Sequence, residues 1–142
     1  MFTVLLEPRD KVMLIRYSGV LSAEDLSTLD AFVAGYVARE GYVRSIFDFT
    51  DVETFAIPRS RLVERGRKPR MNPGQDRVFV APQQEISELY RDYAQLQRDF
   101  GNGDMMVVQT MAEALHLLGL HDPDFQHLWR PSAATGSSLP LV

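Results

Sequence analysis

The sequence predicts one α/β domain: a five-stranded, mixed and mostly parallel sheet with about four helices, in the order ββαβαβαβα. Three observations predict it. Short apolar runs alternate with amphipathic helical stretches, the pattern of parallel strands joined by crossover helices. Val12-Met13-Leu14-Ile15 is continuously apolar, as in a strand covered on both faces. The first two apolar runs are separated only by Pro8-Arg9-Asp10-Lys11, which is room for a hairpin and nothing longer. The first strand is therefore the antiparallel member.

The elements follow in order. Phe2 to Glu7 and Val12 to Tyr17 are the hairpin strands, and Ser18-Gly19 closes the second. Ser22 is placed as a helix N-cap, with Asp25 three residues on completing a capping box. Leu26, Leu29, Phe32, Val33, Tyr36 and Val37 recur at helical spacing, and Gly41 stops that helix. Ser45 to Phe49 is the third strand, and Thr50-Asp51-Val52 after it reads as a polar turn. A second helix starts near Pro58, because proline is tolerated in a first turn. Its apolar anchors are Leu62 and Val63, and it ends by Gly66. Pro69, Pro73 and Gly74 make Gly66 to Asp76 a loop. Val78 to Ala81 is the fourth strand. Ile86, Leu89, Tyr90, Tyr93, Leu96 and Phe100 line one stripe of the third helix, which ends at Gly101-Asn102-Gly103. Met105 to Val108 is the fifth strand. Thr110 and Glu113 form a capping box for a fourth helix closed by Gly119. Residues 1–120 thus form the domain, and His121 to Val142 reads as a tail whose Phe125, Leu128 and Trp129 dock on this chain or on a partner.

Composition excludes several functions. The chain has 142 residues and 45% hydrophobic content, which suits a single core. Its net charge of −4 argues against general nucleic-acid binding, which needs a positive surface. There is no cysteine, so disulfides, thiolate metal sites and cysteine nucleophiles are excluded. No apolar run approaches the ~20 residues that cross a bilayer. The start, Met1-Phe2-Thr3-Val4, lacks the plan of a signal peptide, and a cytoplasmic protein is expected.

Three phrases carry a resemblance. Tyr17-Ser18-Gly19-Val20-Leu21-Ser22 is similar to the passage from second strand to first helix in the STAS domain, the fold of bacterial anti-sigma-factor antagonists. Ile46-Phe47-Asp48-Phe49-Thr50-Asp51-Val52 resembles that family's central strand and its Asp-Leu-Ser-Gly-Val type turn. Asp104 to Leu118 resembles its last strand and helix. The likeness spans about Phe2 to Leu120 and looks closest to the divergent SpoIIAA-like branch. It implies a regulatory, protein-interaction role in signalling. One departure matters. The antagonists carry Asp-Ser-Ser-Gly at the start of the second helix, where a serine is phosphorylated, and here that stretch reads Ala56-Ile57-Pro58-Arg59. Ser60 and Thr50 are nearby hydroxyls outside that phrase, so the phosphorylation switch is not carried over.

Candidate chemistry collects at the carboxyl ends of the strands. Ser18, Asp48, Thr50, Asp51, Gln83, Gln84 and Thr110 belong there. Asp48 and Asp51 could hold magnesium, but a local hydrogen bond to the following turn is the favoured role for Asp48. No glycine-rich phosphate loop follows a strand. His116, His121 and His127 lack zinc spacing. Arg59, Arg61, Arg65, Arg67, Lys68 and Arg70 crowd one segment with only Glu64 against them, in an otherwise acidic chain. Arginine suits bidentate contacts to carboxylates or phosphates. The expected partner-binding face is therefore Thr50, Asp51, Arg59, Ser60, Arg61 and Arg65. No catalytic residue, metal or cofactor is expected. Self-association as a homodimer is an alternative partnership. A small-molecule or lipid carrier is the alternative function; it requires an apolar cavity larger than ~300 Å³ between sheet and helices.

Overall fold

The computed structural model describes residues 1–103 and 105–131; Asp104, where the third phrase begins, and residues 132–142 of the tail lie outside the described residues. The elements are β1 (Phe2–Glu7), β2 (Val12–Ser22), α1 (Ala23–Glu40), β3 (Arg44–Ala56), α2 (Arg59–Gly66), β4 (Arg77–Val80), α3 (Gln84–Asp99), β5 (Met105–Val108), α4 (Met111–Leu117) and β6 (Gln126–Trp129). The sheet has six strands, in the order β5-β4-β3-β2-β1-β6. The pairs β2–β3, β3–β4 and β4–β5 are parallel, and β1 runs antiparallel to both its neighbours.

The layering follows from handedness. From β2 to β5 each new strand is added on the same side, so right-handed crossovers must place α1, α2 and α3 on one face. Their buried residues, Leu26, Leu29, Phe32, Leu62, Ile86 and Tyr90 among them, share a core with Met13, Ile15, Phe49 and Phe79. The other residues of the same strands, Leu14, Ile46, Val78 and Val80, pack with Ala114 and Leu118 beside α4. Both faces of the central strands are covered, which is why β2 and β4 read as unbroken apolar runs.

The capping box predicted for α1 forms in full, whereas at α4 the structure gives the Thr110 side-chain cap together with a hydroxyl–carboxylate bond to Glu113. The Ser22 and Asp25 side chains make the reciprocal capping box of α1, and the Thr110 hydroxyl accepts the Glu113 N–H at α4. Arg44 Nη1 donates to the Leu118 carbonyl at 2.8 Å, satisfying the last turn of α4.

Two features differ from expectation. The expected polar turn after Phe49 is strand: β3 continues to Ala56 beside β2, with register shifts between Arg16 and Ser18 and between Gly19 and Val20. Extra residues in β3 absorb the polar stretch as bulges, and Asp48 Oδ1 accepts the Thr50 N–H (3.0 Å) and hydroxyl (2.5 Å). The sheet also gains a sixth strand. The Phe125–Trp129 region had too few residues at period two to read as a strand, yet β6 pairs with the free edge of β1.

β6 is held at both ends. The Trp129 ring stacks on Phe2 with centroids 4.6 Å apart. Glu7, fully buried, accepts the Asp124 N–H at 2.5 Å and the Arg9 N–H at 2.8 Å. The bond from Asp124 is the largest influence and lowers the Glu7 pKa below the ordinary 4.5, with burial opposing it and Arg9 assisting. A carboxylate lowered in the folded state contributes stability above its unfolded pKa and loses it as pH falls through the folded one. Trp129 is the only tryptophan and reports on this strap. An acid-induced change in its fluorescence is expected below pH 4.5, and Glu7→Gln should diminish that change while loosening the strap at neutral pH. Superimposable titrations of the two proteins would contradict this role for Glu7.

Candidate functional site

The expected site centres on α2. Pro58 at its N-cap has φ −60° and no side-chain cap, and its carbonyl accepts the Arg61 N–H at 2.9 Å. Leu62 and Gly66, one turn apart, are buried on the inner face. Gly66 lies so close to α3 that a Cβ there would meet Leu96 Cδ2 at 2.8 Å. With that face fixed, the cations of α2 and of the two residues after it are distributed among three environments.

Arg65 turns inward to α1. Its two terminal nitrogens bind both oxygens of Asp30, the Nη2–Oδ1 contact being 2.6 Å, and the two side chains are 30% and 34% exposed. Burial opposes the Arg65 charge, but the hydrogen bonds and attraction of Asp30 outweigh it and raise the guanidinium pKa above its ordinary value. Arg59 reaches outward to Asp92 of α3 at 3.3 Å, a pair more than two-thirds exposed on each side and worth little. Arg61, Arg67 and Lys68 are exposed and make no hydrogen bond or ion pair through their side chains among the described residues. Arg59, Ser60, Val63, Glu64 and Arg67 line a shallow depression of about 520 Å³. Arg61, Arg65 and Lys68 face a smaller hollow, about 110 Å³, against α1.

Thr50 and Asp51 do not join this group. Phe47 and Phe49 face the three helices, so strand alternation puts Ile46 and Asp48 on the face that carries α4, and Thr50 is hydrogen-bonded to Asp48 there. Asp51 is exposed in β3 opposite Ser18. Asp48 is nearly buried and engaged by Thr50. Among the described residues no group of three or more histidines, aspartates or glutamates is placed to hold a metal ion. His116, His121 and His127 are exposed.

Most of the aromatic stripe residues enter the core. Tyr36, Tyr90 and Tyr93 are buried, whereas Phe100, at the C-cap of α3, is exposed. Burial raises the hydroxyl pKa of Tyr17, Tyr90 and Tyr93 against the pull of the Arg65 charge, so all three stay protonated near neutrality. They offer no base. The cavity between sheet and helices, bounded by Leu29, Val33, Phe47, Arg65, Tyr93 and Gln97, measures about 170 Å³. Typical ligand sites begin near ~300 Å³.

No protein-family model matches the chain, and no curated protein matches it in sequence. Solved structures match in shape. The phosphorylated form of the Bacillus cell fate determinant SpoIIAA superposes with a TM-score of 0.55 over 83% of this chain and 99% of its own, at 15% identity. The fold is that of SpoIIAA. An uncharacterized DUF3478-family protein from Shewanella loihica PV-4, also with a SpoIIAA-like fold, gives 0.54 over 83% of this chain and 92% of its own, at 11% identity. Identities this low establish the fold alone.

Within the SpoIIAA-like fold, Ala56 ends β3 and Pro58 caps α2, so no hydroxyl stands between Ala56 and Arg59. Sequence reasoning missed Asp30 and Asp92, the carboxylates that engage two of the arginines. Asp30 had a signal: it lies four residues after Leu26 and three before Val33, an acid within the inward stripe of α1. Asp92 had none.

Proposed function

We propose that this chain is a non-enzymatic regulatory domain that docks a protein partner on the outer face of α2, without a phosphoserine switch. The observation that carries the reading is the concentration of exposed cations without partners among the described residues, Arg61, Arg67 and Lys68 beside Arg59, on a protein of net charge −4. An acidic partner surface is the complement of such a patch, and charge of this kind sets association rate and specificity. Asp30 engages Arg65 and removes it from the face, and Thr50 and Asp51 are not part of it. The small-molecule or lipid alternative has less support, because the interior cavity is below the usual size.

The test is charge reversal. Arg61→Glu with Lys68→Glu should abolish co-purification of the partner from its native extract while leaving the melting temperature within about 2 °C, since surface changes are usually within ~0.5 kcal/mol. Undiminished capture of every partner by the double variant would refute the α2 face. Raising the salt concentration should weaken wild-type capture for the same reason.

A further inference from the structure

β3 outruns its neighbour on one side. It pairs with β4 only from Ser45 to Asp48, yet it continues to Ala56. On the other side β2 accompanies it to Ser22, and the outer edge of β2 is itself closed by the Met1 amino group, which donates to the Val20 carbonyl at 3.0 Å. The open edge of β3 is partly closed too: Gln83 Nε2 donates to the carbonyls of Phe49 (2.7 Å) and Val52 (3.3 Å). Beyond Val52, no strand among the described residues pairs with this edge.

A groove of about 560 Å³ runs beside that free edge, between it and the start of α3. Its apolar floor is Val52, Phe55 and Ile86, its rim is Glu53, Glu85 and Glu88, and Gln83 and Gln84 complete the lining. Glu53, Glu85 and Glu88 are exposed, and no cation lines the groove. An unpaired strand edge is a template for main-chain hydrogen bonding. Added strands take their affinity from that ladder and their specificity from alternate side chains.

We propose that residues 53–56 accept an extended, basic peptide segment of a partner protein as an added strand, with its lysines or arginines on the glutamate rim and its alternate apolar residues on the floor. Charge complementarity selects this occupant over a second copy, because this chain's own basic segment, Arg59 to Arg70, is helix and loop and supplies no strand. The surface is separate from the α2 face, so either can fail without the other.

The probe is a fluorescein-labelled eight-residue peptide of alternating lysine and valine, followed by anisotropy at 50 mM and 150 mM salt. Binding is expected, weakened at least tenfold by Glu85→Lys with Glu88→Lys, both exposed, in a double variant whose cooperative melting verifies that it is folded. Two further peptides carry N-methyl groups on alternate amides, one in each phase. An added strand bonds through one of its edges, so one phase should lose at least tenfold in affinity and the other should bind nearly as the parent. Equal binding by both phases would mean attraction by charge alone and would overturn the proposal, as would no binding by the parent peptide at millimolar concentration. Dimerisation in light scattering that is lost in the glutamate double variant would assign the edge to a second copy and would overturn it as well.

Discussion

Phe49→Ala is expected to destabilise the protein by ~3–5 kcal/mol, the range for truncating a fully buried aromatic. Phe49 is 0% exposed. Its ring centroid lies 4.8 Å from Tyr17, 4.8 Å from Tyr90 and 6.0 Å from Phe79, so it joins β2, β4 and α3 through one side chain. β2, β4 and α3 relax only partially into the space vacated, so a cavity term adds to the lost transfer energy. For a chain of this length, each ~1 kcal/mol corresponds to ~3 °C of Tm, so the midpoint should fall by ~10–15 °C. Phe49→Leu, which keeps most of the volume, should cost much less, ~1 kcal/mol. Urea denaturation of both variants checks this; a loss under 1 kcal/mol for Phe49→Ala would mean that β3 is not the central strand.

The second large effect belongs to the pair of Arg65 and Asp30. Each single alanine variant leaves a half-buried charge facing protein, and a loss of ~1–3 kcal/mol is expected for each. The double variant should lose clearly less than the sum, with a coupling of ~1–2 kcal/mol in the cycle. Arg65→Lys should not restore the wild-type value, because an ammonium cannot grip both carboxylate oxygens as the planar guanidinium does. Strict additivity in the cycle would show that the two side chains do not hold α1 to α2. The same experiment separates stability from recognition: Asp30→Ala should lower the melting temperature and leave partner capture intact below it.

The resemblance to anti-sigma-factor antagonists was legible because its signals are local. A hairpin gap, two capping boxes and stop glycines each act over a few residues, so composition at those positions decides the structure there. The candidate site was legible only in part. Counting arginines located the basic segment but could not say which ones remain available, since Arg65 is engaged by a residue 35 positions away and Arg59 by one 33 positions away. The local hydrogen bond favoured for Asp48 was legible because it spans two residues: Asp48 Oδ1 accepts from the Thr50 N–H and hydroxyl.

What the sequence alone determined is the order of strands and helices as far as α4, the parallel sense of the central strands and the acidic chain with a basic second helix. These rest on hydrophobic period, turn chemistry and formal charge, which need no knowledge of distant contacts. The tertiary structure alone decided that Thr50 and α2 lie on opposite faces, that β3 outlasts β4, and that Gln126–Trp129 close the far edge of the sheet. Each of these depends on which backbone edges and carboxylates meet after folding. Such long-range choices leave no periodic trace, because the short run Gln126-His127-Leu128-Trp129 pairs with β1 only when its edge is already there to receive it.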